Sequence, residues 1–194
     1  MAEEAKTPAK NNQKEFMEKE PVGKILFTEK QIRERARELG RQITEDLKGE
    51  DELIVICTLK GAVMWMTDLV KEIGMDTKLE FVIAGSYGSG TTSSGVVTIK
   101  LDVESNLYKK NVLVVEDIVD TGNTLSFLMG KLKERNPKWL KVCTMLDKPS
   151  RRTTGFKADY VGFEVEDLFV VGYGLDYDQK YRGLPYVSYL QSEE

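Results

Sequence analysis

The stretch Val112-Leu113-Val114-Val115-Glu116-Asp117-Ile118-Val119-Asp120-Thr121-Gly122-Asn123-Thr124 decides the fold. Its first four residues are an all-apolar run, as in a strand buried on both faces, and the run leads straight into three carboxylates. A Thr-Gly-x-Thr turn then opens a helix expected from about Asn123 to Arg135, ended before Pro137. In sheets built of such strands, ligands bind outside the carboxyl ends. Free backbone amides at a helix start, flanked by hydroxyls, form a phosphate cradle, and Gly122 permits close backbone approach. Acids beside a phosphate site fit a sugar phosphate: carboxylates accept hydrogen bonds from ribose hydroxyls and can help hold magnesium.

Outward from this stretch, strand and helix patterns alternate, which implies an α/β fold with a central parallel sheet flanked by helices. Upstream, Thr28-x-x-Gln31 fits a capping box. Ile32, Ala36, Leu39, Ile43 and Leu47 then line one helical face, and Gly49 marks a stop. Leu53–Cys57 reads as a buried strand, Leu59-Lys60-Gly61 as a turn, Ala62–Ile73 as a helix and Leu79–Ala84 as a strand. Gly85 to Gly95 is too rich in Gly, Ser and Thr to build a core and reads as a mobile loop before a strand at Val96–Leu101. Downstream, Leu140–Leu146, Tyr160–Phe163 and Phe169–Val171 read as strands. Residues 1–22 are polar and read as a disordered tail, leaving 23–194 as a single domain.

Composition narrows the chemistry. With 194 residues, 41% hydrophobic and 31% charged, the chain suits one substantial core. No apolar run approaches the ~18 residues of a membrane span, and no export signal is visible, so a cytoplasmic protein without a membrane partner is expected. The net charge of -4 argues against a nucleic-acid partner. Cys57 and Cys143 lie inside apolar runs and read as reduced core residues. Histidine is absent, which excludes Ser–His–Asp triads, Cys–His pairs and His-ligated metals. An acid–base catalyst must then be Asp, Glu, Lys, Tyr or Cys, and a metal would be a hard cation such as magnesium. There is no G-x-x-x-x-G-K-S/T loop, and Gly88 and Gly90 are followed by Ser93 where a dinucleotide fingerprint needs glycine.

The run from Val112 to Thr124 closely resembles the phosphoribosyl pyrophosphate (PRPP) signature of type I phosphoribosyltransferases. Leu59-Lys60-Gly61 resembles that family's pyrophosphate loop, and Ser86-Tyr87 the start of its closing loop. Leu146-Asp147-Lys148 and Phe169-Val170-Val171-Gly172-Tyr173-Gly174-Leu175-Asp176-Tyr177, with Arg182 beyond, resemble the base-binding hood of bacterial hypoxanthine(-guanine) enzymes. The match is collinear over roughly residues 25–190. Val165-Glu166-Asp167-Leu168 departs from the usual Ile-Pro-Asp-Lys before Phe169.

The resemblance implies a type I fold with a small hood built from N- and C-terminal segments. It also implies transfer of ribose 5-phosphate from PRPP to hypoxanthine or guanine, with Mg2+ as cofactor. Glu116 and Asp117 would bind the ribose hydroxyls and, with Asp176, the metal. Asp120, Thr121, Gly122, Asn123 and Thr124 would surround the 5'-phosphate, with Asp120 as general base. Lys60, Gly61 and Arg182 would face pyrophosphate, and Ser86 and Tyr87 would form the lid. Lys148, Phe169 and the Val170 and Asp176 carbonyls would hold the base. Taken singly, Lys60 and Lys148 read as surface lysines and Phe169 as a core aromatic; their weight comes from the collinear match. The apolar Met64-Trp65-Met66 segment points to a homodimer or homotetramer. A nucleotide-sensing RNA-binding regulator of the same fold and a xanthine-preferring transferase are the alternatives.

Overall fold

The computed structural model describes residues 22–86 and 97–191. The expected tail therefore lies almost wholly outside the described residues, as does Tyr87. Six strands form the main sheet: β1 (Glu52–Thr58), β2 (Asp76–Ser86), β3 (Val97–Leu101), β4 (Asn111–Val119), β5 (Trp139–Asp147) and β6 (Tyr160–Glu164), in the order β3-β2-β1-β4-β5-β6. All neighbours are parallel except β3, which runs antiparallel to β2. The parallel strands β1 and β4 sit centrally, and burial on both faces explains their apolar runs.

Among the described residues, three α-helices cover the sheet. On one face lie α1 (Glu29–Asp46) and α2 (Val63–Val70). The α1 start has the expected capping box, with Thr28 accepting from the Gln31 amide and Gln31 accepting from the Thr28 amide. Its stripe of Ile32, Ala36, Leu39 and Ile43 is fully buried in a core shared with Leu53, Val55, Cys57, Leu113 and Val115. The opposite face packs α3 (Asn123–Lys133) through Leu125, Leu128 and Leu132 onto Ile54, Ile56, Val112 and Val114. Odd and even residues of the same two strands thus serve two separate cores.

A second, two-stranded sheet pairs β7 (Val170–Val171) with β8 (Ser188–Tyr189). The segment entering α1 runs alongside it, with bridges Val22 to Leu190 and Phe27 to Val187. Phe27 also stacks on Phe163 of β6, ring centroids 4.1 Å apart. Tyr181, Leu184 and Tyr186 close a small third cluster around Val171.

Several elements differ from their sequence reading. The strand read from Val112–Val115 extends to Val119, because Glu116, Ile118 and Val119 continue the ladder with Thr144, Leu146 and Asp147. Two of the acids are therefore held by strand geometry, not by a loop. The second helix stops at Val70, and β2 starts at Asp76, where the register with Glu52 begins. The interface reading of Met64-Trp65-Met66 needs correction: Trp65 and Met66 face the core, and only Met64 is exposed. Cys57 and Cys143 are free and buried, and burial pushes both thiols up to about 12.

Thr28→Ala removes the half of the capping box in which the hydroxyl accepts from the Gln31 amide, and leaves the backbone amide that donates to Gln31 Oε1. It should cost about 1 kcal/mol of stability in urea denaturation while leaving turnover unchanged.

Candidate active site

At the end of β4, Gly122 adopts φ 83° and caps α3, whose first turn closes when the Ser126 amide donates to Gly122 O at 2.9 Å. A side chain at Gly122 would strike Thr154, Arg152 and Phe156. The loop after β5 is therefore wrapped tightly around the turn. Its Thr153 amide and Thr154 hydroxyl donate to Thr121 O at 3.1 and 3.3 Å. Beneath, Arg152 is ion-paired with Asp147 and donates to Val119 O at 3.4 Å. This fixed turn rims a cleft bounded by Thr58, Glu116, Asp120, Thr121, Gly122 and Thr124. Asn123 stands outside the cleft lining, its amide 3.4 Å from Thr121 Oγ1.

Glu116 faces into the cleft, but its carboxyl is secluded. Burial, and then the neighbouring Asp117 carboxylate, push it well above the usual carboxylate range. The Thr58 hydroxyl lies 2.9 Å from Val115 O and 2.8 Å from Glu116 Oε1. It has one hydrogen to give, and the Asp117 amide also donates to Glu116 Oε1, at 3.2 Å. Asp117 points elsewhere: Oδ1 accepts from the Ile118 amide at 2.8 Å, and the carboxylate abuts Gly61.

Gly61 joins the strand acids to the hood. A Cβ there would collide with Asp117, and a Cβ at Gly174, which adopts φ 100°, would collide with the Gly61 carbonyl. The turn before it contains a cis peptide between Leu59 and Lys60. Lys60 Nζ donates to Gln179 Oε1 at 3.1 Å. Arg182 pairs with Asp176 at 2.8 Å and donates to Gly174 O at 2.7 Å, while Asp176 Oδ2 accepts from the Gln179 amide at 2.8 Å. Lys60, Gly61, Asp176 and Arg182 are thus assembled in one corner. Gln179 joins them without having been expected; nothing in its type or spacing separates it from a surface glutamine.

At the other end, Lys148 is 8% exposed and tied to the β4 terminus by its amide, which donates to Val119 O at 2.9 Å. Its Nζ lies 3.8 Å from Asp167. Arg151 spans between Asp167 at 3.5 Å and Asp120 at 3.3 Å. The two carboxylates, Asp120 first, push the Arg151 guanidinium above its ordinary value. Sequence reasoning missed both Arg151 and Asp167. Their only signal was position, one three residues past Lys148 and the other within the departing Val165–Leu168 segment. Phe169 is 54% exposed and meets Tyr177 edge-on at 5.4 Å, so it is not the core aromatic its type alone suggests. Val170 is buried in β7. Ser86 ends β2, its backbone paired with Val97.

Among the described residues no group of three or more Cys, Asp or Glu side chains is arranged to hold a metal by itself. Magnesium commonly takes only one or two carboxylates and completes its shell with substrate phosphate and water. The oxygen donors of Asp176, beside Lys60 and Arg182, fit that pattern.

The phosphoribosyl transferase domain family matches residues 23–178. The chain is 45% identical over 172 residues to the hypoxanthine-guanine phosphoribosyltransferase of Streptococcus thermophilus, spanning 89% of this chain and 95% of that protein. It is 46% identical over 175 residues to the enzyme of that name from Mycobacterium tuberculosis, spanning 87% of this chain and 86% of that one. Among solved structures, a hypoxanthine-guanine phosphoribosyltransferase from Bacillus anthracis, with HEPES in its active site, superposes with a TM-score of 0.83 at 44% identity, covering 88% of this chain and 99% of that one. With its mostly parallel sheet, its Gly122 turn after β4 and its collinear match to these proteins, the chain belongs to the phosphoribosyl transferase family, among the hypoxanthine-guanine phosphoribosyltransferases.

Proposed function

We propose that the chain transfers the 5-phosphoribosyl group from PRPP to hypoxanthine, and also to guanine, releasing pyrophosphate, in purine salvage. The observation that carries this reading is the meeting of three groups at the end of β4: the Asp120–Thr124 turn on its cleft, the Lys60 and Arg182 corner joined to Asp117 through Gly61, and the nearly buried Lys148 held at Val119 O. Each suits one part of the two substrates.

The turn from Asp120 to Thr124 would grip the 5'-phosphate with backbone amides and hydroxyls. Glu116 and Asp117 would hold the ribose hydroxyls; a secluded Glu116 also suits a hydrogen-bonding role. Lys60, the Gly61 backbone and Arg182 would bind pyrophosphate, the arginine by its fork. Asp176 would hold Mg2+, with Glu116 and Asp117 contributing through water. When bound, the metal would neutralise the leaving pyrophosphate as a Lewis acid.

As pyrophosphate departs, the ribose gains oxocarbenium character, and water must be kept from it. Ser86 and Tyr87 would close over the site as a lid. Asp120 would take a proton from the purine ring as its nitrogen attacks. Lys148 would donate to the 6-oxo group, leaving adenine, whose 6-amino group cannot accept, unmatched. Phe169, exposed at the hood, would stack on the purine, and the Val170 and Asp176 carbonyls would receive the 2-amino group of guanine. Residues 23–194 would act as one domain whose hood includes the segment before α1. A homodimer or homotetramer in the cytoplasm is the assembly proposed. The exposed Leu79, Phe81 and Leu101 on β2 and β3 are a better motive for it than the helix at Met64.

With PRPP and magnesium, hypoxanthine and guanine should be consumed and adenine left, as followed by absorbance. Asp120→Asn should lower kcat by about 100- to 10,000-fold with little change in PRPP affinity. Full turnover in that variant would remove Asp120 as the base, and no turnover of any purine by the unaltered protein would favour the regulator reading.

Glu116→Gln tests the secluded carboxyl. A carboxyl whose folded pKa is raised contributes stability below its unfolded pKa and loses it as pH rises towards the folded value. Glutamine mimics the neutral form, so the variant should melt higher than the unaltered protein at pH 7, with the difference vanishing at pH 4. PRPP binding should weaken at the same time.

A further inference from the structure

Gly172, Tyr173 and Gly174 take three successive left-handed backbone conformations, with φ of 96°, 51° and 100°. Glycine enters that region freely, whereas a tyrosine there must be held by its surroundings. The Tyr173 ring is buried, and its hydroxyl donates to Oδ2 of Asp68 on α2. Asp68 in turn lies 2.8 Å from Lys71 Nζ and 3.9 Å from Arg33 Nε. Burial opposes its charge, but Lys71, the Tyr173 hydroxyl and Arg33 outweigh that effect and hold the carboxyl below its usual range. Burial, then Asp68, push the phenol upward, so it keeps its proton and stays a donor.

The same turn is stitched to the pyrophosphate corner. The Tyr173 amide donates to Leu184 O at 2.8 Å, the Gly174 amide to Arg182 O at 2.9 Å, and Arg182 Nη1 to Gly174 O at 2.7 Å. Gly174 presses on the Gly61 carbonyl. Gly61 leads directly into α2, which carries Asp68, and Tyr173 leads directly into the segment that carries Asp176 and Arg182. The contacts therefore close a ring: Gly61, α2, Asp68, Tyr173, Gly174 and back to Gly61. One hydrogen bond between side chains closes that ring.

We propose that Tyr173 and Asp68 are positioning residues for the pyrophosphate half of PRPP. Their hydrogen bond fixes the Gly174–Asp176 turn against the Gly61 loop, so that Lys60, Asp176 and Arg182 meet the ligand in register. This rests on the assignment of those residues to pyrophosphate. The Asp176 carbonyl is also assigned to the 2-amino group of guanine, so selectivity for PRPP is read with hypoxanthine, which lacks that group.

Tyr173→Phe keeps the ring and deletes one hydroxyl. With each substrate and magnesium varied in turn, the PRPP KM and the magnesium needed for half-maximal rate should rise about tenfold, with the hypoxanthine KM changing less than about twofold. Asp68→Ala should behave the same way, while Asp68→Asn, which keeps an acceptor for the hydroxyl, should recover most of the PRPP KM. A lower melting temperature with an unchanged PRPP KM in both Tyr173→Phe and Asp68→Ala would mean a merely structural tyrosine and would overturn the proposal. Arg182→Ala in parallel separates the two levels. A raised PRPP KM there alone overturns only the positioning role; no change in any of these variants overturns the pyrophosphate assignment as well.

Discussion

The structure turns on a place where no side chain fits. Gly61 is wedged between the Asp117 carboxylate on one side and the Gly174 backbone on the other. The first belongs to the central strand β4, the second to the segment that links β7 to β8. Through this one residue the buried core reaches the corner of Lys60, Asp176 and Arg182 and fixes where the hood stands. A Cβ at Gly61 or Gly174 would force the two apart by more than the packing of either could absorb. The close approach therefore sets how the strand acids, the basic corner and the hood stand to one another.

The main sheet was legible because its cause is simple. Strands buried on both faces must be apolar throughout, and Leu53–Cys57 and Val112–Val115 are. The α1 stripe and its capping box were equally plain, since local spacing and local hydrogen bonds decide both. Boundaries were less legible where tertiary pairing overrides local pattern. The polar end of β4 is a strand because β5 lies beside it, not because Glu116 or Asp117 favours one. Trp65 misled for a related reason: a run of three apolar residues on a helix cannot all face the same way, and which of them faces out depends on where the sheet lies.

At the candidate site, the residues found from sequence were those whose type and spacing match a recognisable motif. Missed were the ones defined by a partner. Arg151, Asp167 and Gln179 are ordinary surface types in sequence, and only the fold places them between Asp120, Lys148 and Lys60. Asp68 and Tyr173 lie 105 residues apart, so no local pattern links them.

These partners also answer a difficulty that the residue types raise. A cleft lined by acids should repel a polyanionic sugar phosphate. Asp120 is paired with Arg151, Asp176 with Arg182, and Asp167 with both Lys148 and Arg151. Glu116, which no cation pairs among the described residues, has its carboxyl pushed well above the usual carboxylate range by burial and by Asp117. The field that an approaching phosphate meets is thus far weaker than the count of carboxylates implies. The cations are also already in place: on the proposed assignment, an incoming phosphate oxygen would take over a guanidinium from a carboxylate, and the freed carboxylate would become available to a proton, a hydroxyl or a metal. On the proposed assignment, substrate binding and activation of the acids would be one exchange of partners, which a site of unpaired acids could not perform.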